Sequence, residues 1–326
     1  MRKWLIVGSL CLGQMIPNSY AVVDPAGDAW HRMQVAAHEL NYEATLTMVS
    51  RRHVSTLRRV HVRVGAHEWQ RLISLDGERR EVQTGQGSAL LFEGNGLTTL
   101  MQEPQHASTP EALTSPLPST FYATRLLVNQ RLGGRFSQEL QLQPKDTWRY
   151  GLNLWIDNAS GLLLREEVTQ GDHRLLVLSV TDLHVGPEVG LAEFKHAVKS
   201  VSVPASTPPT QAAYVACQSW GVLPPPGFQR VALHEKVING TMVDEARYSD
   251  GLATVSVFVT RAPANLPKYQ QPRVHHWGAM TTAEQWRVGG QNTYLVSVLG
   301  NVPARTVLQM LSTWQVVMSP ACAKHY

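Results

Sequence analysis

Three histidine–glutamate pairs, His38-Glu39, His67-Glu68 and His234-Glu235, begin like a zinc-binding helix. Metal-assisted hydrolysis on that pattern needs a second histidine four residues after the first, so that both imidazoles share one helix face. None of the three pairs has one. His275-His276 falls in a strand-like run, where adjacent side chains point to opposite faces and cannot share an ion. Gly85-Gln86-Gly87 lacks the spacing and the lysine of a phosphate-cradling loop, and no Gly-x-Ser-x-Gly turn offers a nucleophile. The expectation is a protein with no catalytic residues, no metal and no cofactor. The alternative left open is an envelope hydrolase built on two neighbouring carboxylates or a histidine-activated nucleophile, without a short motif.

Two other patterns point to binding. Arg51, Arg52, Arg58, Arg59, Arg63, Arg71, Arg79 and Arg80 stand against only Glu68, Asp76 and Glu78. Guanidinium forks suit phosphate and carboxylate groups. Arg51, Arg52, Arg58, Arg59 and Arg63 are therefore candidates for an anionic head-group site, with a solvated outer strand face as the competing reading. The second pattern is apolar. Trp148, Tyr150, Leu152, Leu154 and Ile156 alternate along one strand face, opposite residues such as Leu46, Met48 and Leu164. Either these fill a core, or they line a concave sheet that holds an acyl chain. Leu46, Met48, Trp148, Tyr150, Leu152, Leu154 and Leu164 are the candidate lipid-binding residues.

The elements that must position these groups are mostly strands. A helix is expected near Asp28 to Leu40, with Trp30, Met33, Ala37 and Leu40 on one face. Period-two alternation follows through Tyr42–Met48, Arg59–Val64 and Trp69–Leu75, with turns at Asp76-Gly77 and Asn95-Gly96. Strands return at Trp148–Ile156, Leu162–Val168 and Arg174–Thr181. Many sequential strands with few helices predict a curved antiparallel sheet with a helix packed on one side. Residues 199–212 are small, Pro-rich and uncharged in the middle, and read as a linker between domains 22–198 and 213–326. A second Pro-rich stretch, 104–120, reads as a long loop. Beyond the linker, two hairpins turn at Asn239-Gly240 and Gly289-Gly290, with a strand at Leu252–Arg261 and a helix after Pro303.

The N-terminal residues read as an export signal. Met1-Arg2-Lys3 is basic, Trp4 to Met15 is apolar, and Pro17 to Ala21 supplies a helix breaker and small residues before a cleavage site expected after Ala21. Loss of residues 1–21 removes Arg2 and Lys3, leaving 27 basic and 25 acidic residues and a net charge of +2. That charge makes no case for nucleic acid. Cys217 and Cys322 remain after cleavage, and in an oxidising compartment they either pair or stay as two free thiols.

Several longer stretches stand out in order. The first domain has the Trp30 helix leading to Leu40-Asn41-Tyr42, residues 68–82 (Glu-Trp-Gln-Arg-Leu-Ile-Ser-Leu-Asp-Gly-Glu-Arg-Arg-Glu-Val), and Leu154-Trp155-Ile156-Asp157 followed by Gly161 to Arg165. The second has Leu223-Pro224, Gly227-Phe228, Tyr248-Ser249-Asp250-Gly251-Leu252 running on to Val259, the final hairpin and the Pro303 helix. In these stretches the chain resembles the RseB/MucB family of periplasmic regulators of the extracytoplasmic sigma-E pathway. The resemblance implies an α+β protein: an N-terminal LolA/LppX-like antiparallel half-barrel covered by helices, then a smaller C-terminal antiparallel sheet with a helix. It further implies a non-enzymatic function. Such proteins bind the periplasmic part of a membrane anti-sigma factor, called RseA or MucA. They shield it from site-1 proteolysis and release it in response to lipopolysaccharide or another acyl lipid. The family carries no short site motif, so the lipid and head-group residues stand as physical expectations. A homo-oligomer is compatible with this reading, and a periplasmic lipid or lipoprotein carrier is the alternative.

Overall fold

The computed structural model describes residues 24–50, 53–65, 67–78, 80–85, 88–93, 96–102, 116–194, 220–238, 241–261, 271–290 and 292–317. The expected signal segment 1–21, the linker 199–212, most of the loop 104–120, and Arg51, Arg52, Arg79, Cys217 and Cys322 lie outside them.

The first described element is helix α1 (Pro25–Glu39), whose proline sits in the first turn, where its missing N–H costs nothing. The helix ends at Leu40, which is extended and donates its N–H to the Ala36 carbonyl at 3.2 Å. Eleven strands follow: β1 (Tyr42–Ser50), β2 (His53–Val64), β3 (His67–Ser74), β4 (Arg80–Gly85), β5 (Ser88–Glu93), β6 (Gly96–Gln102), β7 (Tyr122–Leu132), β8 (Arg135–Pro144), β9 (Gly151–Asp157), β10 (Leu163–Gln170) and β11 (His173–Val185). They form one antiparallel sheet in the order β6-β5-β4-β3-β2-β1-β11-β10-β9-β8-β7. Every neighbouring pair except β1–β11 is consecutive in the chain. That pair joins Tyr42 to Val185 and Leu46 to Val180, uniting two meanders into one sheet.

Strand alternation gives the sheet two faces of different chemistry. The face under α1 carries Leu140, Leu154, Ile156, Leu178, Val180, Leu46, Ala44 and Leu57, aligned across the ladders. Ala26, Ala29 and Trp30 pack on the half of this face made by Tyr122, Leu140, Leu142, Leu154 and Ile156, while Ala36 packs on Tyr42, Ala44, Leu46 and Leu162. The opposite face is largely polar. Its apolar members include Val60, Val62 and Trp69, which pack with Phe194 and Leu191 of the short helix α2 (Leu191–Phe194), and Trp155, buried beside Arg165.

The second sheet, in the order β13-β14-β15-β18-β17-β16, uses β13 (Gln229–Ile238), β14 (Thr241–Ser249), β15 (Thr254–Arg261), β16 (Arg273–Trp277), β17 (Met280–Gly289) and β18 (Asn292–Gly300). Helix α3 (Ala304–Thr313) lays Val307, Met310 and Leu311 on Val255, Val257, Val296 and Val298. β12 (Trp220–Gly221) pairs with β19 (Gln315–Val316) and brings Trp220 into the same core. The architecture is the expected α+β one, a large antiparallel sheet with a helix on one face followed by a smaller antiparallel sheet with its own helix.

One expected element differs. Trp148 and Tyr150 do not continue strand β9, which starts at Gly151. The Asp146 carboxylate accepts the Trp148 N–H at 2.9 Å and bends the chain just before the strand.

Candidate functional site

Between α1 and the apolar sheet face lies a cavity of about 200 Å³. Met33, Ala37, Tyr42, Ala44, Leu46, Leu162, Leu163, Val180 and Leu183 give it apolar walls, and Gln34, His38 and Arg59 are its polar members. Arg59 stands opposite Ala44 on one ladder and Leu72 on the other, so its side chain shares the apolar face. Two groups face Arg59 there. Burial raises the Tyr42 hydroxyl above its ordinary pKa, against the opposing pull of Arg59. Burial likewise raises the Glu166 carboxyl, again offset in part by Arg59. A guanidinium beside a carboxyl that resists ionisation, under an apolar roof, can receive an anionic group whose apolar part fills the cavity.

The C-terminal end of the roof is held by a polar cluster that sequence reasoning did not find. His61 is fully buried, with Nδ1 donating to the Leu40 carbonyl at 2.7 Å and Nε2 at 3.0 Å from Glu68 Oε1. His38 Nδ1 reaches Glu68 at 3.2 Å, and Gln70 Nε2 donates to the same carboxylate at 3.0 Å. Burial alone would raise the Glu68 pKa. The hydrogen bonds from His38, His61 and Gln70 outweigh it and hold the carboxyl well below the usual carboxylate range. Glu68 thus ties the last turn of α1 to β2 and β3. The sequence contained a signal for this, since His61, Glu68 and Gln70 all fall on the α1 side of an alternating ladder.

The expected head-group arginines do not form one patch. Arg58 and Arg59 are adjacent in β2, so they project from opposite faces. Arg58 belongs to the outer face, where its Nε donates to Glu43 at 2.6 Å and its Nη2 to Glu193. Arg71 completes that network with Glu81 at 2.6 Å and Glu193 at 3.0 Å. Its carboxylates are already matched, so Arg58 serves the sheet itself. Arg63 lies near the end of β2, bound to Glu39 at 3.2 Å. Of the described arginines in the set, Arg59 alone lines the cavity.

The expected lipid-contacting residues also divide. Leu46 lines the cavity. Leu154 is buried under α1, and Leu152 packs between that cluster and the one around Tyr150. Met48 is half-buried on the same face, opposite Leu178. Leu164 is buried at the irregularity between Leu163 and Arg165. Trp148 and Tyr150 are placed elsewhere, at the seam between the domains. Trp148 packs against the core of the second domain, its carbonyl accepting from Thr306 Oγ1 at 2.7 Å and its ring lying 4.0 Å from Arg305 Cζ. The Tyr150 hydroxyl meets Thr281 Oγ1 at 3.2 Å, and its ring packs with Ala279. Tyr150 is buried and Trp148 half-buried, and in both cases residues of the other domain do the covering.

Among the described residues no group of histidine, cysteine, aspartate and glutamate could hold a metal ion. No helix among them is long and apolar enough to cross a membrane.

Residues 25–198 match the family model of the MucB/RseB N-terminal domain, and residues 216–315 match that of the MucB/RseB C-terminal domain. The sigma-E factor regulatory protein RseB of Haemophilus influenzae is 24% identical over 291 residues, covering 86% of this chain and 88% of that protein. The sigma factor AlgU regulatory protein MucB of Pseudomonas aeruginosa is 26% identical over 306 residues, 93% of each chain. Among solved structures, the MucB chain of the Pseudomonas aeruginosa MucA/MucB complex superposes with a TM-score of 0.67 at 21% identity, covering 90% of this chain and 100% of that one. MucB crystallised with MucA(peri) gives 0.65, again at 21% identity and 90% of this chain, with 99% of that one.

Proposed function

This chain belongs to the MucB/RseB family, and from that premise we propose that it regulates a sigma factor by binding the periplasmic segment of a membrane anti-sigma factor. The observation that carries the reading is the family match across both domains, joined to a fold shared with a protein crystallised in complex with MucA(peri). On this reading the chain is exported to the periplasm by residues 1–21. Bound to the anti-sigma segment, it shields that segment from site-1 proteolysis and restrains the envelope stress response.

Release by lipid is the finer part of the proposal. The cavity under α1 takes the apolar part of a lipopolysaccharide or related acyl lipid, and Arg59 meets its anionic group. Burial is worth about 0.8 kcal/mol per methylene, so a few methylenes suffice to shift a binding equilibrium. The lipid releases the segment only if it favours a conformation the segment binds less well. Calorimetric titration of the mature protein with the periplasmic segment of its anti-sigma factor, with and without lipopolysaccharide, tests both parts. Saturable binding weakened by lipopolysaccharide is expected. Absence of binding rejects the function, and binding indifferent to lipopolysaccharide rejects the release step.

A further inference from the structure

The seam between the domains is centred on one side chain. Arg149 belongs to the first domain and is 2% exposed. Its Nε donates to Asp250 Oδ2, its Nη1 to Asp146 Oδ2 at 2.5 Å, and its Nη2 to the Pro226 carbonyl at 2.7 Å. The guanidinium carbon also lies 4.3 Å from the centre of the Phe121 ring and 4.8 Å from that of Phe228. Asp146 and Phe121 come from its own domain; Asp250, Pro226 and Phe228 come from the other.

Three features make this seam orientation-specific. The Asp250 side chain is fully buried. Its second oxygen accepts the Leu252 and Ala253 N–H groups at 2.9 and 2.7 Å, which fixes the carboxylate in its turn. Gly227 has φ +88, and a Cβ there would come within 2.4 Å of both Arg149 Nη2 and the Phe121 ring, so the backbone closes directly onto the guanidinium. Taking two charges out of water is costly, and apolar side chains of similar volume would stabilise a seam at least as well. What the ion pair adds is direction: a planar fork meets a fixed carboxylate, a fixed carbonyl and two rings at only one angle between the domains.

We propose that Arg149 and Asp250 are positioning residues that hold the two domains at the angle the anti-sigma segment recognises. The pair also explains a stretch the sequence made conspicuous. Tyr248 and Ser249 end β14, the turn after them carries Asp250 to the first domain, and Leu252 packs against the Phe121 and Trp30 cluster. The inference rests on the reading that an anti-sigma segment is the partner.

The test uses the full mature chain and the periplasmic segment of its anti-sigma factor. Asp250→Asn keeps an oxygen for the Leu252 and Ala253 N–H groups but turns a donor toward Arg149. Small-angle scattering reads the domain arrangement without partner, and calorimetry reads affinity. A rescue is available, because a Cβ at Gly278, whose φ is +59, would lie 3.3 Å from that of Ser50 across the seam, just under disulfide spacing, and the same crosslink in the otherwise wild-type chain controls for strain there. Ser50→Cys with Gly278→Cys, oxidised and mapped by peptide mass spectrometry, therefore imposes the orientation without the ion pair. Expected are an altered scattering profile and an affinity loss of about tenfold or more in Asp250→Asn. The crosslink restores both, and reduction removes the rescue. Wild-type scattering and affinity in Asp250→Asn would overturn the proposal, as would lost affinity that the formed crosslink does not restore. If Asp250→Asn does not fold, Asp250→Glu, which keeps the charge but displaces it by one methylene, enters the same comparison with the same deciding results. Should the wild type not bind the segment, the functional reading fails, while the partner-free scattering still decides whether the pair sets the orientation.

Discussion

Two glutamates on the same sheet face are shifted in opposite directions, and the difference can be measured. Glu68 is held below the usual range, so its contribution to stability is fully present above its unfolded pKa of about 4.3 and is lost as pH falls toward the folded value. Glu68→Gln should therefore cost roughly 1.5–3 kcal/mol at neutral pH, the scale of a hydrogen bond to a charged group. It should also flatten the acid side of the stability curve below about pH 5, as followed by urea unfolding across pH. Glu166 is raised by burial, so its ionisation penalises the fold as pH rises past its unfolded pKa. Glu166→Gln should raise the melting temperature at pH 7 and lose that advantage near pH 4. Neighbouring arginines separate just as clearly. Arg59→Gln should weaken lipopolysaccharide-driven release of the anti-sigma segment about tenfold or more, since charge-assisted bonds are worth about 1.5–3 kcal/mol. Arg58→Gln should leave release intact while lowering the melting temperature, because Arg58 bonds Glu43 and Glu193 on the far face.

Helix α1 serves both as a cover for the sheet and as the roof of the cavity. Trp30, 5% exposed among Tyr122, Leu140 and Leu154, anchors the half away from the cavity. Trp30→Ala should cost roughly 3–5 kcal/mol in chemical denaturation, the range for emptying a large core site. The spacing of Trp30, Met33 and Ala37 made this helix legible, and strand alternation with the Gly289-Gly290 turn marked the β17–β18 hairpin, whereas β7 and β8 were not foreseen. The β1–β11 pairing was not, because it joins segments about 140 residues apart and no local pattern names a distant partner. The candidate site was legible only in part. Leu46 and Arg59 were singled out and do meet at the cavity. The arginine run overlooked that consecutive strand residues face opposite ways. The apolar series through Trp148 and Tyr150 ran past the true start of β9, because alternation reports burial and not the burying surface. Arg149, lying between those two residues, was hidden by their hydrophobicity.

At the scale of the whole molecule, the second domain is more than an appendage to the sheet and its cavity. Tyr150 meets Thr281, Trp148 packs against the other domain's core, and Gly278 lies against Ser50 and Leu176. A lipid carrier requires only the first sheet and its cavity, whereas a clamp for an extended partner needs two domains at a set angle. Binding at one domain can be felt at the other through a seam whose polar groups are matched in one arrangement. The most direct measurement is the rate at which the site-1 protease cleaves the anti-sigma periplasmic segment, with increasing amounts of the mature protein and then with lipopolysaccharide added. Regulation by lipid-released shielding predicts cleavage suppressed to saturation near equimolar protein and restored by lipopolysaccharide for the wild type, with restoration impaired in Arg59→Gln. Cleavage that proceeds unchanged at saturating protein would contradict it.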